Sequence, residues 1–261
     1  MAPLVSIVTV TRNDLPGLQA TGQSVAGQTD SDFEWIVADG ASKDGTVELM
    51  STWSACTVHF SSKPDSSIYE GMNNGAALAS GAWLYFLNAG DVFSEAQSLA
   101  RMHAVLTTTE RSWGFAAVRQ IRSDGSGFTI HCASPYNQHG LALGNTTVPH
   151  QGTFVRRELF QQLGGFLTDF GTEADQEFIY RASLTGPPFE EVWPIADMRM
   201  GGTGWNGSTG HFVRAMRRAR QRSGQRIGGN PVIDASATLG VLTGAYWTAL
   251  QGKVAARLSR S

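Results

Sequence analysis

Runs of β-branched and aromatic residues alternate with amphipathic stretches along the first ninety positions. LVSIVTVT (Leu4–Thr11), FEWIVA (Phe33–Ala38), Cys56–Phe60 and WLYFL (Trp83–Leu87) are short, dense and apolar, the signature of strands buried on both faces. Between them, 14–27, 44–54 and Ile68–Ala79 read as helices, with Ser42 and Asp44 offering capping oxygens to the second. Strands alternating with helices in this way imply right-handed crossovers and a doubly wound sheet. In such sheets ligands bind beyond the carboxyl ends of the strands. Thr11-Arg12-Asn13, Asp39 and Asn88-Ala-Gly-Asp91 all fall there.

The second half is less regular. Trp113–Ile121 and Gly127–Cys132 flank a Ser-Asp-Gly-Ser turn and predict a hairpin. Pro135–Pro149 reads as loop, Gly152–Val155 as a short strand, and Glu158–Leu163 as a helix ahead of Gly164-Gly165. Glu173–Ser183 reads as a helix and Phe189–Ile195 as extended chain. The glycine-rich Met200–Gly210 segment reads as a loop that either closes over a ligand or merely links to the C-terminal tail. His211–Gln221 predicts an arginine-rich helix, and Leu239–Leu258 a final one.

Composition refines this picture. With 41% apolar and 16% charged residues in 261, the chain is long enough for a large core and too apolar for disorder. Two cysteines, Cys56 and Cys132, fit a reducing compartment rather than a disulfide scaffold. No basic leader precedes the first strand, and 235–250, the most apolar stretch, is broken by Ser236, Thr238 and two glycines, so neither a signal peptide nor a membrane span is expected. The net charge of −2 conceals an acidic body: of 20 Lys/Arg and 22 Asp/Glu, nine of the bases but a single acid, Asp234, lie in 211–261. That basic tail suits an anionic membrane surface, or else packs on the body with its charges solvated; no nucleic-acid recognition motif accompanies it.

Candidate chemistry clusters at the strand ends. Asp39 suits a nucleobase or ribose, or a simple turn before Gly40. Asp91 suits Mg²⁺ or Mn²⁺ bridging to phosphate, or another turn. Asp65 and Asn73 lie in Lys63–Gly75, a stretch denser in polar groups than a connector needs, the first a candidate nucleotide contact and the second a candidate substrate contact. Asp175, in Glu173-Ala-Asp175, suits a general base, or a favourable charge at a helix start. His150-Gln151 lacks any zinc-ligand spacing. There is no Walker A sequence, no GxGxxG after the first strand and no GxSxG elbow.

Taken in order, LVSIVTVTRND, SVAGQTDSDFEWIVADGASKDGT, KPDSSIYEGMNNGAALASGAWLYFLNAGD, HQGTFVRRELFQQLGGF and EADQEFIYR resemble the inverting family 2 glycosyltransferases, over about residues 4–205. The 68–91 stretch is most similar to a bacterial subgroup that builds exopolysaccharide, O-antigen or glycolipid glycans. The resemblance implies an α/β GT-A fold: one Rossmann-like domain over 1–210 with a mainly parallel central sheet, its nucleotide-sugar half ending near 92, its acceptor half over 93–210, and a helical tail over 211–261. It implies sugar transfer from a nucleotide-diphosphate sugar, a UDP-sugar above others, to a hydroxyl of a glycan or lipid-linked acceptor, assisted by Mn²⁺ or Mg²⁺. The low cysteine count and the missing leader place the expected site of action on the cytoplasmic side, with the tail able to visit the inner face of the membrane. By position, Thr9, Thr11, Asn13, Asp39, Asp65, Asn73 and Asn88 would meet the nucleotide sugar. Asp91 would hold the metal, and Asp175 would be the base. His150, Gln151 and Glu173 would lie near the donor sugar and acceptor. Three departures stand out: a single carboxylate in Asn88–Asp91, Lys63 in place of the frequent Glu, and Gln176 in place of an aromatic. A non-catalytic nucleotide-sugar or membrane-surface scaffold and a nucleotidyltransferase are the alternatives.

Overall fold

The computed structural model describes residues 2–122, 124–199 and 209–258, with the backbone alone over 245–258. The four apolar runs become β1 (Val5–Thr11), β2 (Phe33–Asp39), β3 (Val58–Ser62) and β4 (Trp83–Phe86), all parallel, in the order β3-β2-β1-β4. Their crossover helices are α1 (Leu15–Ala26), α2 (Thr46–Ser51) and α3 (Ile68–Ala77). Because the sheet is covered on both faces, successive residues enter opposite cores. Val8, Val10, Ile36, Ala38, Leu84 and Phe86 face one, and Val5, Ile7, Trp35, Val37, Trp83 and Tyr85 the other. That two-sided burial is why β1, β2 and β4 carry no polar alternation, whereas β3, at the edge of the sheet, buries none of its residues fully.

After β4 the sheet continues through β8 (Thr153–Arg156), β6 (Trp113–Ile121) and β9 (Phe189–Arg199) to β5 (Val92–Phe93), with β7 (Phe128–His131) hairpinned onto β6. β8 runs antiparallel to both β4 and β6, and β9 runs parallel to β6. Hence the carboxyl ends of β1–β4, β6 and β9 lie along one edge, and so does the start of β8. The strand order reverses between β1 and β4, so the switch-point crevice opens between Arg12-Asn13 and Asn88–Asp91. Backbone bonds close the crevice floor, Leu87 N–H to Val8 O at 3.0 Å and Ala89 N–H to Val10 O at 3.1 Å.

Two helices depart from the expected pattern. α4 (Ser98–Thr108) occupies a segment in which no element is expected, and packs Leu99, Met102 and Leu106 into the second core. α5 (Gln138–Leu143) stands in the stretch expected to be loop: Asn137 Oδ1 accepts the Gly140 N–H at 2.8 Å, and Gly144 ends it at φ 77°. β9 runs to Arg199, four residues past the expected extended stretch, and so reaches the ligand edge.

α6 (Arg157–Gln162), α7 (Ala174–Ser183) and α8 (Thr209–Arg222) complete the layer over the first core, and α9 (Pro231–Leu258) packs on α8. α9 starts eight residues earlier than its apolar pattern predicts. α8 buries Val213, Ala215, Met216 and Ala219 among α5 and α7, and Arg220 is 1% exposed. Arg220 donates to Asp234 Oδ1 at 2.8 Å, to Thr238 Oγ1 at 2.9 Å and to the Ala142 carbonyl. The 200–208 part of the glycine-rich segment, and the side chains of Trp247, Leu250, Lys253, Val254, Arg257, Leu258 and Arg260, lie outside the described residues. Among the described residues no helix is long and apolar enough to cross a membrane.

Candidate active site

On the β1–β3 side of the crevice, Asp39 ends β2 beside Thr11, its register partner on β1. It is 2% exposed and fully engaged. Oδ2 accepts from the Ser42 N–H at 3.0 Å and from Ser62 Oγ at 2.6 Å, and the Ser42 hydroxyl bonds Oδ1. Asn13, at φ 53°, ties the two neighbouring loops together: its N–H donates to Ser42 Oγ at 2.7 Å and its Oδ1 accepts the Lys43 N–H at 2.9 Å. Asp65 faces this turn, with Arg12 Nη1 at 3.9 Å from Oδ1. Burial raises its pKa; Arg12 pulls it back, while Glu70 and Asp39 push the same way as burial. A Cβ on Gly40 or Gly71 would come within 2.9 or 3.0 Å of Asp65 Oδ2, so these glycines are what lets the carboxylate sit so close. The Thr11 hydroxyl is buried and finds no hydrogen-bond partner among the described residues.

On the β4 side, Asp91 closes the Asn88 turn with its N–H on Asn88 O at 3.0 Å. Burial pushes its carboxyl up to about 6, with the charge of His150 and hydrogen bonds from the Gln151 side chain and the Arg199 backbone N–H pulling the other way. The antiparallel register of β8 carries the short 3-10 turn His150–Gly152 to this point. His150 is shared. Its Nε2 lies 3.2 Å from Asn88 Nδ2 and its Nδ1 lies 3.3 Å from Asp175 Oδ2.

Asp175 sits in the first turn of α7, 9% exposed, with Oδ1 accepting the Gln176 N–H at 2.7 Å. Phe86, Val155, Phe166, Phe178 and Ile179 pack beneath the His150–Asp175 pair. Two further neighbours were not among the expected site residues. Tyr69 donates from its hydroxyl to Thr172 O at 3.0 Å and also lies against Asp175; burial, reinforced by that carboxylate, holds its phenol well above its ordinary range. Gln176 grips the backbone of Val148, two residues before His150. An amide following Asp175, and a Tyr in the first turn of α3, were the only signals available.

Three expected contacts are used internally. Thr9 is fully buried and its hydroxyl accepts the Trp35 indole N–H at 2.9 Å, so it is turned into the core and away from the crevice. The Asn73 amide makes reciprocal bonds with the Phe166 N–H and C=O, both 2.9 Å, and pins α3 to that loop. Glu173 accepts from His211 Nδ1 at 2.9 Å and from the Thr172 hydroxyl at 2.9 Å, joining the start of α7 to α8. Gln151 donates to Met198 Sδ at 2.8 Å as well as to Asp91, so the end of β9 also borders the site.

A hard divalent cation would find two oxygen donors in one turn, the Asp91 carboxylate and Asn88 Oδ1, which is buried without a hydrogen-bond partner among the described residues. Among the described residues no three His, Cys, Asp or Glu side chains group into a cage. The donor set therefore fits an ion completed by phosphate oxygens and water, and does not fit a closed structural metal site.

Comparison with known proteins agrees with this architecture. The family description "Glycosyl transferase family 2" matches residues 6–164. An uncharacterized glycosyltransferase of Mycobacterium tuberculosis is 37% identical over 191 residues, 72% of this chain and 71% of the relative. A PGL/p-HBAD biosynthesis glycosyltransferase of Mycobacterium bovis is 32% identical over 189 residues, 69% of this chain and 70% of the relative. Among solved structures, S. aureus TarS 1-349 in complex with UDP superposes with a TM-score of 0.69 at 16% identity, covering 93% of this chain and 71% of that one. The mannosyltransferase PcManGT of Pyrobaculum calidifontis, in complex with GDP-Man and Mn²⁺, gives a TM-score of 0.63 at 16% identity, covering 98% and 80%. At such identities the solved structures speak for the fold, and the family match and the mycobacterial relatives speak for the activity. The chain belongs to glycosyl transferase family 2 and is a glycosyltransferase with a GT-A-like fold.

Proposed function

We propose that the enzyme transfers a sugar, with inversion, from a nucleotide-diphosphate sugar to a hydroxyl of a glycan or lipid-linked acceptor. The observation that carries this reading is the placement of Asp175 and Asp91 on either side of His150 at the switch point. The acceptor oxygen attacks the anomeric carbon as the bond to the diphosphate breaks, and the acceptor proton passes to Asp175. General-base assistance of this kind contributes about 10²–10⁴-fold. Asp91 and Asn88 would hold Mn²⁺ or Mg²⁺, which when bound offsets charge on the leaving diphosphate. Asp39, Asp65, Thr11 and Asn13 border the space for the nucleoside. UDP is the favoured nucleotide: TarS is described with UDP and UDP-GlcNAc, although PcManGT is described with GDP-Man. A relative named for PGL/p-HBAD biosynthesis supports a glycolipid acceptor. The family assignment favours this reading over a scaffold or a nucleotidyltransferase.

The division into a catalytic body over 1–210 and a basic tail over 211–261 belongs to the same proposal, as does a cytoplasmic site of action with the tail reaching anionic lipid. Two unpaired cysteines support the reducing compartment. Flotation of the full chain with phosphatidylglycerol vesicles but not with phosphatidylcholine vesicles is expected; equal flotation would remove the membrane element.

Two measurements test the core reading. Thermal shifts with UDP, dTDP and GDP, with and without Mn²⁺, are expected to single out one nucleotide and to grow with the metal. Asp175→Asn is expected to lower kcat at least about 10²-fold while the selected nucleotide still binds. Near-normal turnover by Asp175→Asn would sink the base assignment.

A further inference from the structure

Gln176 is 8% exposed, and its amide is used on three sides. Oε1 accepts the Val148 N–H at 3.0 Å, Nε2 donates to the Val148 carbonyl at 2.8 Å, and the same Nε2 lies 3.3 Å from Asp175 Oδ2. The first two contacts are those a neighbouring strand would make with Val148, supplied here by one side chain. Val148 is followed by Pro149, at φ −64°, and then by the His150–Gly152 turn, whose last N–H returns to Pro149 O at 3.0 Å. From Val148 to the start of β8 the chain thus has little freedom. Its downstream end is set by the β4–β8 ladder and its upstream end by Gln176.

The second consequence is directional. Asp175 Oδ2 faces both His150 Nδ1 and Gln176 Nε2, while Oδ1 is held by the Gln176 backbone N–H. One residue therefore orients the carboxylate and anchors the loop bearing the imidazole that faces it. A methionine of similar length would fill the space and keep only the backbone N–H bond to Asp175 Oδ1, losing all three side-chain amide contacts. A glutamate would keep the acceptor for Val148 N–H, but would set its second oxygen against the Val148 carbonyl and Asp175, where like dipoles and charges repel.

We propose that Gln176 is a positioning residue for sugar transfer, setting the distance between the His150 loop and Asp175. The inference rests on Asp175 being the base. It predicts a loss in turnover without a loss in donor binding, because nothing it touches lies on the Asp39–Asp65 side of the crevice. Misplacement by about 1 Å can cost on the order of 10²-fold.

The test uses the full chain and UDP-glucose, UDP-N-acetylglucosamine and GDP-mannose as donors, with octyl glucoside as acceptor and release of nucleoside diphosphate as the readout. Gln176→Met and Gln176→Glu are expected to lower kcat roughly 10- to 100-fold, with donor KM and nucleotide affinity within about twofold of the parent. His150→Ala combined with Gln176→Glu is expected to be about as slow as the worse single variant, since both act on one distance. Parent-like kcat in either folded Gln176 variant would overturn the proposal. So would fully multiplicative losses in the double variant, or a fall in nucleotide affinity matching the fall in kcat. Near-normal turnover by Asp175→Asn would reject the base itself, whereas an inactive Asp175→Asn beside fully active Gln176 variants would reject only the positioning role.

Discussion

Gly152 shows how little room some single positions have. A Cβ there would stand 2.2 Å from the Ala116 carbonyl, a backbone atom on the neighbouring strand that cannot swing aside. Gly152→Ala is expected to cost about 3 kcal/mol and to displace His150-Gln151, seen as a lower Tm together with lost turnover; an unchanged Tm would contradict the packing. Asp91 carries a different kind of cost. Its folded pKa, about 6, lies above that of the unfolded chain, so the folded protein holds the proton more tightly. Ionising it costs stability progressively from about pH 4 to pH 6, with the full cost above that, up to roughly 3 kcal/mol. Without divalent ions, Asp91→Asn should therefore exceed the parent in Tm at pH 7.5, and the gap should shrink progressively as the pH falls to about 4. A gap independent of pH would reject the buried-carboxylate account. Asp91→Ala should also lose most activation by Mn²⁺, and full retention would remove Asp91 from the metal site. At this scale the sequence was a partial guide. That Asp91, Asp175 and His150 lie at one edge was legible, because strand ends and helix starts fix where short polar side chains can reach. Thr9 was not, since its hydroxyl is claimed by Trp35 on the neighbouring strand, and Asn73 was not, since its partner Phe166 is distant in sequence.

Among the elements, strands were the most legible, because two-sided burial writes itself as an unbroken apolar run. α4 and α5 were the least. Leu99, Met102 and Leu106 sit among polar and small residues that weaken the helical period, and α5 is a six-residue helix held by its Asn137 cap rather than by composition. The pairing of α8 with α9 was also hidden. Arg220 and Asp234 look like ordinary charges of a basic segment, yet they are 1% and 2% exposed and bonded to one another. Burial raises the Asp234 pKa, but hydrogen bonds from Arg220 and the Ile227 N–H outweigh it and hold the carboxyl low. Its contribution is present above about pH 4 and is lost as pH falls further. Arg220→Met is expected to destabilise the fold by about 3–5 kcal/mol, because it leaves a buried carboxylate short of its main partner, and adding Asp234→Leu should recover much of the loss. Chemical denaturation of the two variants decides this, and equal stability would show the pair to be dispensable.

Across the whole molecule, the contrast between acidic body and basic C-terminal segment is partly settled within the fold. Arg222 reaches Asp169 at 2.8 Å, Arg218 donates to the Asp169 carbonyl and stacks on Phe170, and Arg217 and Arg220 share Asp234. Arg214 is exposed on α8. The ligand edge was foreseeable from the alternation of strands and helices, since right-handed crossovers bring the carboxyl ends of parallel strands to one side, but the strand order was not. The arrival of β8 was not, because an antiparallel strand drawn from seventy residues downstream leaves no local trace beside β4.

That insertion has a consequence for synthesis and handling of the chain. Once β1–β4 have left the ribosome, WLYF of β4 is a bare, uncharged edge with a row of open hydrogen-bonding groups, the kind of template that recruits foreign strands. It stays so until Thr153–Arg156 is made and zips alongside. Fragments ending between β4 and β8 should therefore aggregate, and a nascent chain stalled there should be a strong client for chaperones.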